Sequence, residues 1–547
     1  MKRSRFGLGF IALAAAGSLA LVGCSSNAGN PDGNAGGEVD PAAIITTNGS
    51  EPAKGLVPTN TQEVGGGKIT DAIFAGLVYY DAKGAAHNDI AESITSDDAI
   101  HYDIKLRQDA KFTDGTPVQA HNFIMAWNDG ARADNERLNS YFFEDIEGFS
   151  YDENVPELPG LTEVSDYEFT VTLNKAASDF PQRLGYTAFM PLPDAAFDAD
   201  GNVTEEFGQN PIGNGPYKLA SDSAWQHDVQ IDLVKNEDYN GPREVKNGGL
   251  TIKFYASLDS AYADLQANNL DVLDALPNPA LSTYESDLGD RAVNQAAAIN
   301  QTITIPQNLK HFSGEEGKLR RAAISMSIDR DQITKVIFQG TRQPMVDFTS
   351  PVVDGWSDSV PGNEVLKFNA DKAKDLWAQA DKISPWEGTF EISYNADADH
   401  QAWVDAVTNS IHNTLGIDAA GKPFPTFAAV RSEIVDRTIG TAFRTGWQAD
   451  YPGLFNFLGP LFGTNAGSND GDYSNPAFDE LIHAGATQTD SAKANEDYQK
   501  AQEILFQDLP AIPLWYQNVS GGYSQKVSNV EFGWNSVPLY NEITKIK

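Results

Sequence analysis

Cysteine is nearly absent from this chain, because only one of its 547 residues, Cys24, is a cysteine. A single thiol excludes an intramolecular disulfide, a CxxC redox pair and a cysteine-ligated zinc cluster. The motifs G-x-S-x-G, H-E-x-x-H, G-x-G-x-x-G and the P-loop are missing as well, and the 8 histidines are scattered. The 76 acidic residues leave a carboxylate-based glycosidase open, although no short motif supports one. The sequence therefore contains no positive sign of an enzyme, a metal site or a cofactor.

Positive charge is also scarce, since 39 lysines and arginines stand against 76 acids and the net charge is −37. A surface this acidic repels phosphate backbones and anionic lipid heads, so binding to nucleic acid or to a membrane surface is disfavoured. The hydrophobic share of 41% is nevertheless high enough for large cores. A chain of 547 residues exceeds what one core supports, so two or three packed lobes are expected.

Long apolar runs are limited to residues 6–22, which follow three basic residues. This run is about as long as a short membrane span, so a retained membrane helix is one interpretation. Its Ala- and Gly-rich end and the change to polar residues after Cys24 favour a signal peptide over residues 1–23. Residues 21–24 (Leu-Val-Gly-Cys) resemble a bacterial lipobox, which predicts a lipid on Cys24. An ordinary signal peptide with an incidental cysteine is the alternative.

Residues 24–41 are rich in Gly, Asn and Ser and contain almost no apolar side chains. This composition predicts a flexible tether between the lipid and the folded part. The membrane would then be contacted only through the N-terminal lipid, on the extracytoplasmic face of the cell membrane.

Beyond the tether, strand patterns alternate with amphipathic helical patterns. The strand segments are 167–173 and 389–394, and the helical segments are 319–336, 370–380, 401–415 and 492–506. Asn369 is a good N-cap for the helix that follows it, and Gly340 ends the 319–336 segment. The mixture predicts α/β lobes without an internal repeat. Clusters of Pro and Gly mark loops and do not define the lobe boundaries.

Five segments, in order along the chain, resemble one known family. They are residues 111–118 (KFTDGTPV), 211–217 (PIGNGPY), 319–330 (LRRAAISMSIDR), 473–479 (YSNPAFD) and 512–516 (IPLWY). Together they resemble the extracytoplasmic peptide-binding proteins of ABC importers, solute-binding family 5, the oligopeptide and dipeptide group. Most of these segments are turn and core elements that specify a fold and do not touch a ligand.

The resemblance implies a two-lobed periplasmic-binding-protein fold of type II, with an extra subdomain in the first lobe. It implies a first lobe over residues 42–300 with an insertion at about 70–165, a second lobe over 301–510, and a return to the first lobe over 511–547. The implied protein is a monomeric binding protein without catalysis or cofactor. Its partners would be a peptide ligand and the permease subunits of an ABC transporter, and not nucleic acid.

The binding segment implied by the resemblance is residues 444–452 (RTGWQADYP). Asp450 matches the carboxylate that holds the α-ammonium group of the peptide in the family. Trp447 would form an apolar wall, and the main chain at Gly446 and Gln448 would pair with an extended peptide. Main-chain pairing of this kind supplies affinity without reading side chains.

Further basic residues match positions near the C-terminal part of the peptide. Arg444 matches a family arginine there, and His400 matches a histidine that some members use for the terminal carboxylate. Arg437 matches another basic group more loosely, because its spacing to Arg444 differs.

From the other lobe, Val64, Gly65 and Gly66 match the stretch that flanks the peptide backbone. Glycines there predict either a closer approach or a looser fit, and Ile337 stands where some oligopeptide binders have a lysine, so the preferred peptide length stays open. Two alternatives also stay open: the same family binding an oligosaccharide, a metal complex or an opine, and a surface sensor or hydrolase without transport.

Overall fold

The computed structural model describes residues 37–52, 54–396, 400–425 and 427–547. The predicted signal peptide, Cys24 and residues 24–36 of the predicted tether lie outside these ranges. Within them, no helix is both long and apolar enough to cross a bilayer.

The described residues form twenty strands and fourteen α-helices. The strands are β1 (Ile44–Gly49), β2 (Val78–Tyr80), β3 (Ala86–Asn88), β4 (Ala91–Thr95), β5 (His101–Leu106), β6 (Leu161–Ser165), β7 (Glu168–Thr172), β8 (Tyr217–Leu219), β9 (Trp225–Gln226), β10 (Gln230–Lys235), β11 (Gly249–Phe254), β12 (Val272–Leu273), β13 (Ala292–Thr304), β14 (Arg342–Pro344), β15 (Phe390–Asn395), β16 (Ala419–Phe424), β17 (Ala442–Gln448), β18 (Ala511–Tyr523), β19 (Val527–Ser528) and β20 (Thr544–Lys545).

The helices are α1 (Val64–Ile73), α2 (Ala120–Ala131), α3 (Phe180–Arg183), α4 (Glu205–Gln209), α5 (Leu258–Gln266), α6 (Tyr284–Leu288), α7 (Gly314–Met326), α8 (Arg330–Val336), α9 (Ala370–Ile383), α10 (Gln401–Leu415), α11 (Phe427–Val435), α12 (Leu454–Phe462), α13 (Pro476–Ala486) and α14 (Ser491–Asp508).

One large sheet of twelve strands runs through the molecule in the order β16-β15-β17-β13-β18-β12-β1-β11-β10-β8, with β14 beside β18 and β9 beside β10. β1 runs parallel to β11 and β12, and β15 runs parallel to β16 and β17. The central strands β17, β13 and β18 pair antiparallel. A separate four-stranded sheet has the order β4-β5-β7-β6.

The strands β13 and β18 have 13 residues each and pair with each other along most of their length. Their register shifts between Ala296 and Asn300, so residues 297–299 have no ladder partner on β18. Within this bulge, the Ala298 N–H donates to the Trp534 carbonyl at 2.7 Å, and the Ala298 carbonyl accepts from the Ala449 N–H at 2.9 Å. The bulge therefore joins the centre of the sheet to the segments that carry the candidate site.

The buried apolar side chains form separate clusters. The largest contains side chains from residues 45–272 together with residues 519–543. Two others contain side chains from residues 298–534 and 303–515. The chain thus leaves the first core along β13 and returns to it along β18.

The predicted strands and helices are confirmed with one correction: the segment 319–336 consists of two helices, α7 and α8, because the chain turns at residues 327–329 and Asp329 caps a new helix. α10 has the predicted bounds, and the strand segments correspond to β7 and β15. Asn369 caps α9, because its side chain accepts a hydrogen bond from the Lys372 N–H. Asp329 and Asp490 cap α8 and α14 in the same way.

Candidate functional site

Asp450 lies two residues beyond the end of β17, at the point where the chain leaves the central sheet. The preceding residue, Ala449, fixes this position through its hydrogen bond to Ala298. Asp450 itself is half-buried, and in the described residues it has no lysine, arginine or histidine partner. Burial raises the pKa of its carboxyl group to about 6, although a hydrogen bond from Asn456 acts to lower it. The site therefore holds an acid whose negative charge has no counter-charge among the described residues.

Asn456, on α12, organises this acid and its neighbour. Its Nδ2 donates to Asp450 Oδ2 at 3.0 Å, while its Oδ1 accepts from the Asp450 N–H at 3.0 Å and from Trp447 Nε1 at 2.9 Å. Asn456 is 1% exposed, so these contacts are shielded from water. One buried amide thus fixes both the carboxylate and the indole ring.

A cavity of about 240 Å³ opens beside Asp450. Its walls come from α1 and the residues before it, from residues 79–81 and 185–187, from the end of β17 and from residues 533–541. Three predicted site residues line it: Asp450, Gln448 and Val64. The structure therefore brings together residues that are almost 400 positions apart in the sequence.

Tyrosines and a tryptophan supply much of the cavity wall. Tyr80 packs edge-on against Trp534 with ring centroids 5.4 Å apart, and its hydroxyl donates to the Gln182 carbonyl at 2.6 Å. Tyr186 stacks on Phe142 at 4.2 Å. Burial raises the pKa of the Tyr80 and Tyr186 hydroxyls, and the negative charge of Asp450 raises both further.

Within the described part of the chain, the cavity wall contains two basic residues, Lys68 and Arg243, and both are paired. Lys68 forms a salt bridge with Asp274, and burial, which alone would lower the Lys68 pKa, is outweighed by the charges of Asp274 and Tyr540. Arg243 lies 3.3 Å from the buried Asp89 carboxylate. Neither base neutralises Asp450.

Gly65 and Gly66 lie in the first turn of α1, and Val64 is its first residue. A Cβ on Gly65 would collide with Ser50, and one on Gly66 would collide with Thr61. Glycine is therefore required here for close packing of the helix start, which seats Val64 at the cavity.

β17 carries the other residues of the predicted segment. Gly446 is exposed and stands opposite Gln301 of β13. Gln448 donates from Nε2 to the Asn535 carbonyl at 3.2 Å. Trp447 faces a second, smaller cavity rather than the one beside Asp450.

Arg444 and His400 lie near the carboxyl end of β15. Arg444 Nε donates to Asn395 Oδ1 at 2.9 Å, and the guanidinium lies 5.2 Å from the centre of the Phe427 ring. His400 stands immediately before α10 without capping it through its side chain. Its Nδ1 accepts from Trp403 Nε1 at 3.0 Å, so its other ring nitrogen carries the proton when the ring is neutral.

Arg437 lies two residues beyond the end of α11, where its guanidinium pairs with acids. Its Nε donates to Asp472 at 2.9 Å, and its Nη1 lies 3.8 Å from Asp470. It does not line the cavity beside Asp450 within the described residues. These contacts hold the loop that contains both acids.

A set of three hydrogen bonds, here called the clasp, joins residues 178–182 of the first core to residues that follow Asp450. They run from Tyr451 Oη to Asp179 at 3.0 Å, from Gln182 Nε2 to the Pro452 carbonyl at 2.7 Å, and from the Ser178 N–H to the Ala486 carbonyl at 2.8 Å. Arg183 supports the clasp, because it pairs with Asp179 at 2.8 Å and its guanidinium lies 5.1 Å from the centre of the Phe455 ring. The clasp thus connects two separately packed parts of the chain next to the candidate site.

Comparison with known proteins assigns this chain to a protein family. The family model "Bacterial extracellular solute-binding proteins, family 5 Middle" matches residues 85–469, and this chain belongs to that family. It is similar to the oligopeptide-binding protein OppA of Bacillus subtilis, with 26% identity over 83% of each chain. It is equally similar to the periplasmic oligopeptide-binding protein OppA of Salmonella typhimurium, with 26% identity over 92% of each chain.

A solved structure of Haemophilus influenzae OppA in complex with the peptide RPPGFSPFR shares the fold. The TM-score is 0.76 at 22% identity, and the match covers 93% of this chain and 100% of that one. The family resemblance and the two-lobed α/β fold predicted from the sequence are therefore confirmed.

Several residues of the site were not predicted from the sequence. They are Asn456, Tyr80, Tyr186 and Trp534. None belongs to a recognisable motif, and Tyr80 and Tyr186 reach Asp450 only through the tertiary fold. Asn456 alone had a local signal, since an amide shortly after an acid at a strand end is well placed to hydrogen-bond it.

Proposed function

We propose that this protein is the substrate-binding lipoprotein of an ABC importer, which captures extended peptides between its two lobes and delivers them to the membrane permease. The observation that carries the proposal is Asp450, an acid with a raised pKa beside a cavity and without a basic partner in the described residues. Keeping a charge out of water without a partner is costly, so such an acid is well suited to receive a cation from a ligand. The α-ammonium group of a peptide is such a cation.

The main chain of β17 supports the binding of an extended ligand. β15 pairs with β17 only at Ala442 and Phe443. Beyond Phe443, the described ladder partners of β17 all belong to β13, on its opposite edge. A peptide that paired with this open edge of β17 as an added strand would have its amino end near Asp450.

The other end of the peptide would lie toward β15. Arg444 lies on β17, six residues before Asp450, which corresponds to about 20 Å if the segment is fully extended. A peptide of several residues fits this length, with Arg444 and His400 placed for its C-terminal part. A matched pair of peptides tests this role: amidation of the C-terminus should weaken binding to the wild type more than to Arg444→Gln.

The relatives named above bind oligopeptides by name, and this supports the same cargo class here. Residues 42–300, with an insertion at about 70–165, would form the first lobe, which residues 511–547 complete, and residues 301–510 would form the second. The clasp would close the lobes over the peptide, and no catalytic step is needed. The protein would act as a monomer.

Anchoring through a lipid on Cys24 belongs to the same proposal, and the lipobox-like residues 21–24 support it. Cys24→Ala should release the protein from the cell membrane into the surrounding fluid. Retention of this variant in the membrane fraction would contradict lipid anchoring and leave the peptide-binding proposal standing.

The decisive experiment is native mass spectrometry of the purified protein, followed by calorimetry with defined peptides. We expect co-purified peptides, and micromolar or tighter binding of free peptides that is lost on N-acetylation. Co-purification of a saccharide, a metal complex or an opine, with no binding of peptides, would refute the proposed cargo. Turnover of the peptides would show a hydrolase instead.

A further inference from the structure

We propose that the hairpin β2–β3 (residues 78–88), here called the flap, is a gate for ligand exchange at the amino end of the peptide. The flap would open by moving into a second, larger cavity that it borders. This inference rests on the proposed function, because it assumes that the amino end of a peptide lies at Asp450. It adds a local gate to the opening of the two lobes.

The flap borders two cavities. Three of its residues line the cavity beside Asp450, namely Tyr79, Tyr80 and Asp81. Three others line a second cavity of about 500 Å³, here called the outer cavity, namely Val78, Ala86 and Asn88. Val78 pairs with Asn88 across the hairpin and Ala86 precedes Asn88 by two residues, so strand alternation places all three on one face. The flap therefore separates the ligand site from the outer cavity.

The outer cavity leaves room for a movement of the flap. Its remaining walls come mainly from residues 178–182, 452–455 and 488–498. All three residues of β3 are exposed, and its described ladder partners belong to β2. A strand that is paired on one edge and borders a cavity has few packed neighbours, which is typical of segments that open locally.

The tip of the flap rests on a segment next to Asp450. Gly84 is buried in the turn with a φ of +84°, and a Cβ there would lie 2.7 Å from Pro452 Cβ and 3.3 Å from Trp534 Cγ. Pro452 follows Asp450 by two residues, and its carbonyl accepts the clasp hydrogen bond from Gln182. The tip thus closes against a point that the clasp holds in place.

The turn of the flap is held together by its own hydrogen bonds. The Asp81 carboxylate accepts from the Lys83 and Ala85 N–H groups, each at 2.9 Å, and the Asp81 carbonyl accepts from the Gly84 N–H at 3.0 Å. Within the described residues, the hydrogen bonds of residues 81–85 all stay inside the flap. The contact at the tip is therefore van der Waals packing, and the turn keeps its shape when the tip moves away.

The base of the flap is anchored, whereas its side is tied more weakly. At the base, the buried Asp89 carboxylate accepts from the Tyr239 hydroxyl at 2.8 Å and from Arg243 Nε at 3.3 Å. On the side, Tyr80 donates to the Gln182 carbonyl at 2.6 Å. A fixed base with a breakable tie suits a hinged segment, and lids of this kind open within microseconds to milliseconds.

The kinetics of peptide binding distinguish a gate from a ligand contact. If the flap opens more easily in both the free and the bound protein, the association and dissociation rates rise by the same factor and Kd stays unchanged. Weaker closure of the lobes, or loss of a contact with the peptide, raises the dissociation rate and Kd instead. Stopped-flow tryptophan fluorescence with tri-alanine measures both rates.

Two variants of the flap should change these rates in opposite directions. Gly84→Ala should push the tip off Pro452 and raise both rates about tenfold, with Kd unchanged. Gly115→Ala is the matched control, because Gly115 has a similar φ of +89° but a Cβ there meets no atom within 4 Å, so both rates should stay as they are. Ala86→Trp fills part of the outer cavity and should lower both rates severalfold.

Melting temperatures verify that the variants fold, and the exposed position of Ala86 keeps the test available if Gly84→Ala does not. Unchanged rates in a folded flap variant, or a rise in Kd that comes from dissociation alone, would overturn the gate and leave the proposed function intact. Absence of tri-alanine binding by the wild type would overturn both.

Discussion

Replacing Asp450 by asparagine should weaken the binding of peptides with a free amino group by about 2–5 kcal/mol, or about 30- to 4,000-fold in Kd. At an N–O distance of about 3 Å and an effective dielectric constant of about 20, the attraction between ammonium and carboxylate is about 5 kcal/mol. No described basic residue would take over this role, so the loss is expected near the full value. Asparagine keeps the shape and can still accept the hydrogen bond from Asn456.

A double-mutant cycle isolates the ammonium contact. Calorimetry would compare a free and an N-acetylated peptide on the wild type and on Asp450→Asn at pH 7. If the carboxylate holds the ammonium group, acetylation should cost several kcal/mol on the wild type and little on the variant. Additive losses, or an unchanged affinity of the variant, would refute the assignment of Asp450.

The pH dependence of peptide affinity gives an independent test of the role of Asp450. Binding needs Asp450 ionised, with a pKa of about 6 in the free protein, and the peptide amine protonated, with a pKa of about 7.7–8.0. Affinity should therefore be greatest between these two values and fall about tenfold per pH unit outside them. Asn456→Leu removes the hydrogen bond that lowers the Asp450 pKa, so the acidic limb should move to higher pH, which a loss of folding alone would not produce.

The ionised carboxylate of Asp450 should lower the free energy of unfolding of the protein when no ligand is bound. Its pKa is raised from 3.8 to about 6, so the folded state holds more protons than the unfolded state between these values, and stability falls as pH rises through them. Above pH 6, Asp450→Asn should raise the free energy of unfolding by up to about 3 kcal/mol, with solvent at the cavity reducing this figure. At pH 4, the melting temperatures of the two proteins should differ little.

Two further predictions concern the frame of the site. Gly65→Ala should lower the melting temperature and weaken peptide binding, because the added Cβ would collide with Ser50. At Gly67 an added Cβ has no atom within 4 Å, so Gly67→Ala should raise the free energy of unfolding by about 0.5–1 kcal/mol through helix propensity. Equal melting temperatures would contradict the packing role. Tyr451→Phe removes the clasp hydrogen bond to Asp179, which should destabilise the closed form by about 0.5–1.5 kcal/mol. Peptide dissociation measured by stopped flow should therefore be faster. An unchanged dissociation rate would exclude a role of this hydrogen bond in closure.

Local sequence signals were sufficient for individual elements. The helix over residues 401–415 was predicted with its bounds, and Asn369 was predicted as a cap, because both depend on contacts within a few residues. The order of the sheet was not predictable in this way. β13 and β18 pair across more than 200 residues, and only the family resemblance indicated that the chain returns there.

For the site, the sequence indicated Asp450 through its motif but not the environment that gives it a raised pKa. That environment consists of Asn456, Tyr80 and the cavity wall at residues 533–541, which the fold assembles from distant segments. The glycines at 65 and 66 were interpreted as a ligand-facing stretch of uncertain fit. In the structure they lie in the first turn of α1, where a Cβ on Gly65 would collide with Ser50 and one on Gly66 with Thr61.

The side chain of Ala298 is a single methyl group, yet its main-chain N–H and carbonyl each form a hydrogen bond to a segment of the site. One hydrogen bond holds the turn that carries Asp450, and the other holds Trp534 on the far wall of the cavity. The spacing between acid and wall is thereby set by main-chain geometry. Substitutions of side chains on the cavity surface can therefore change which ligand is bound without moving these main-chain segments. A larger residue at position 298 would displace both walls at once.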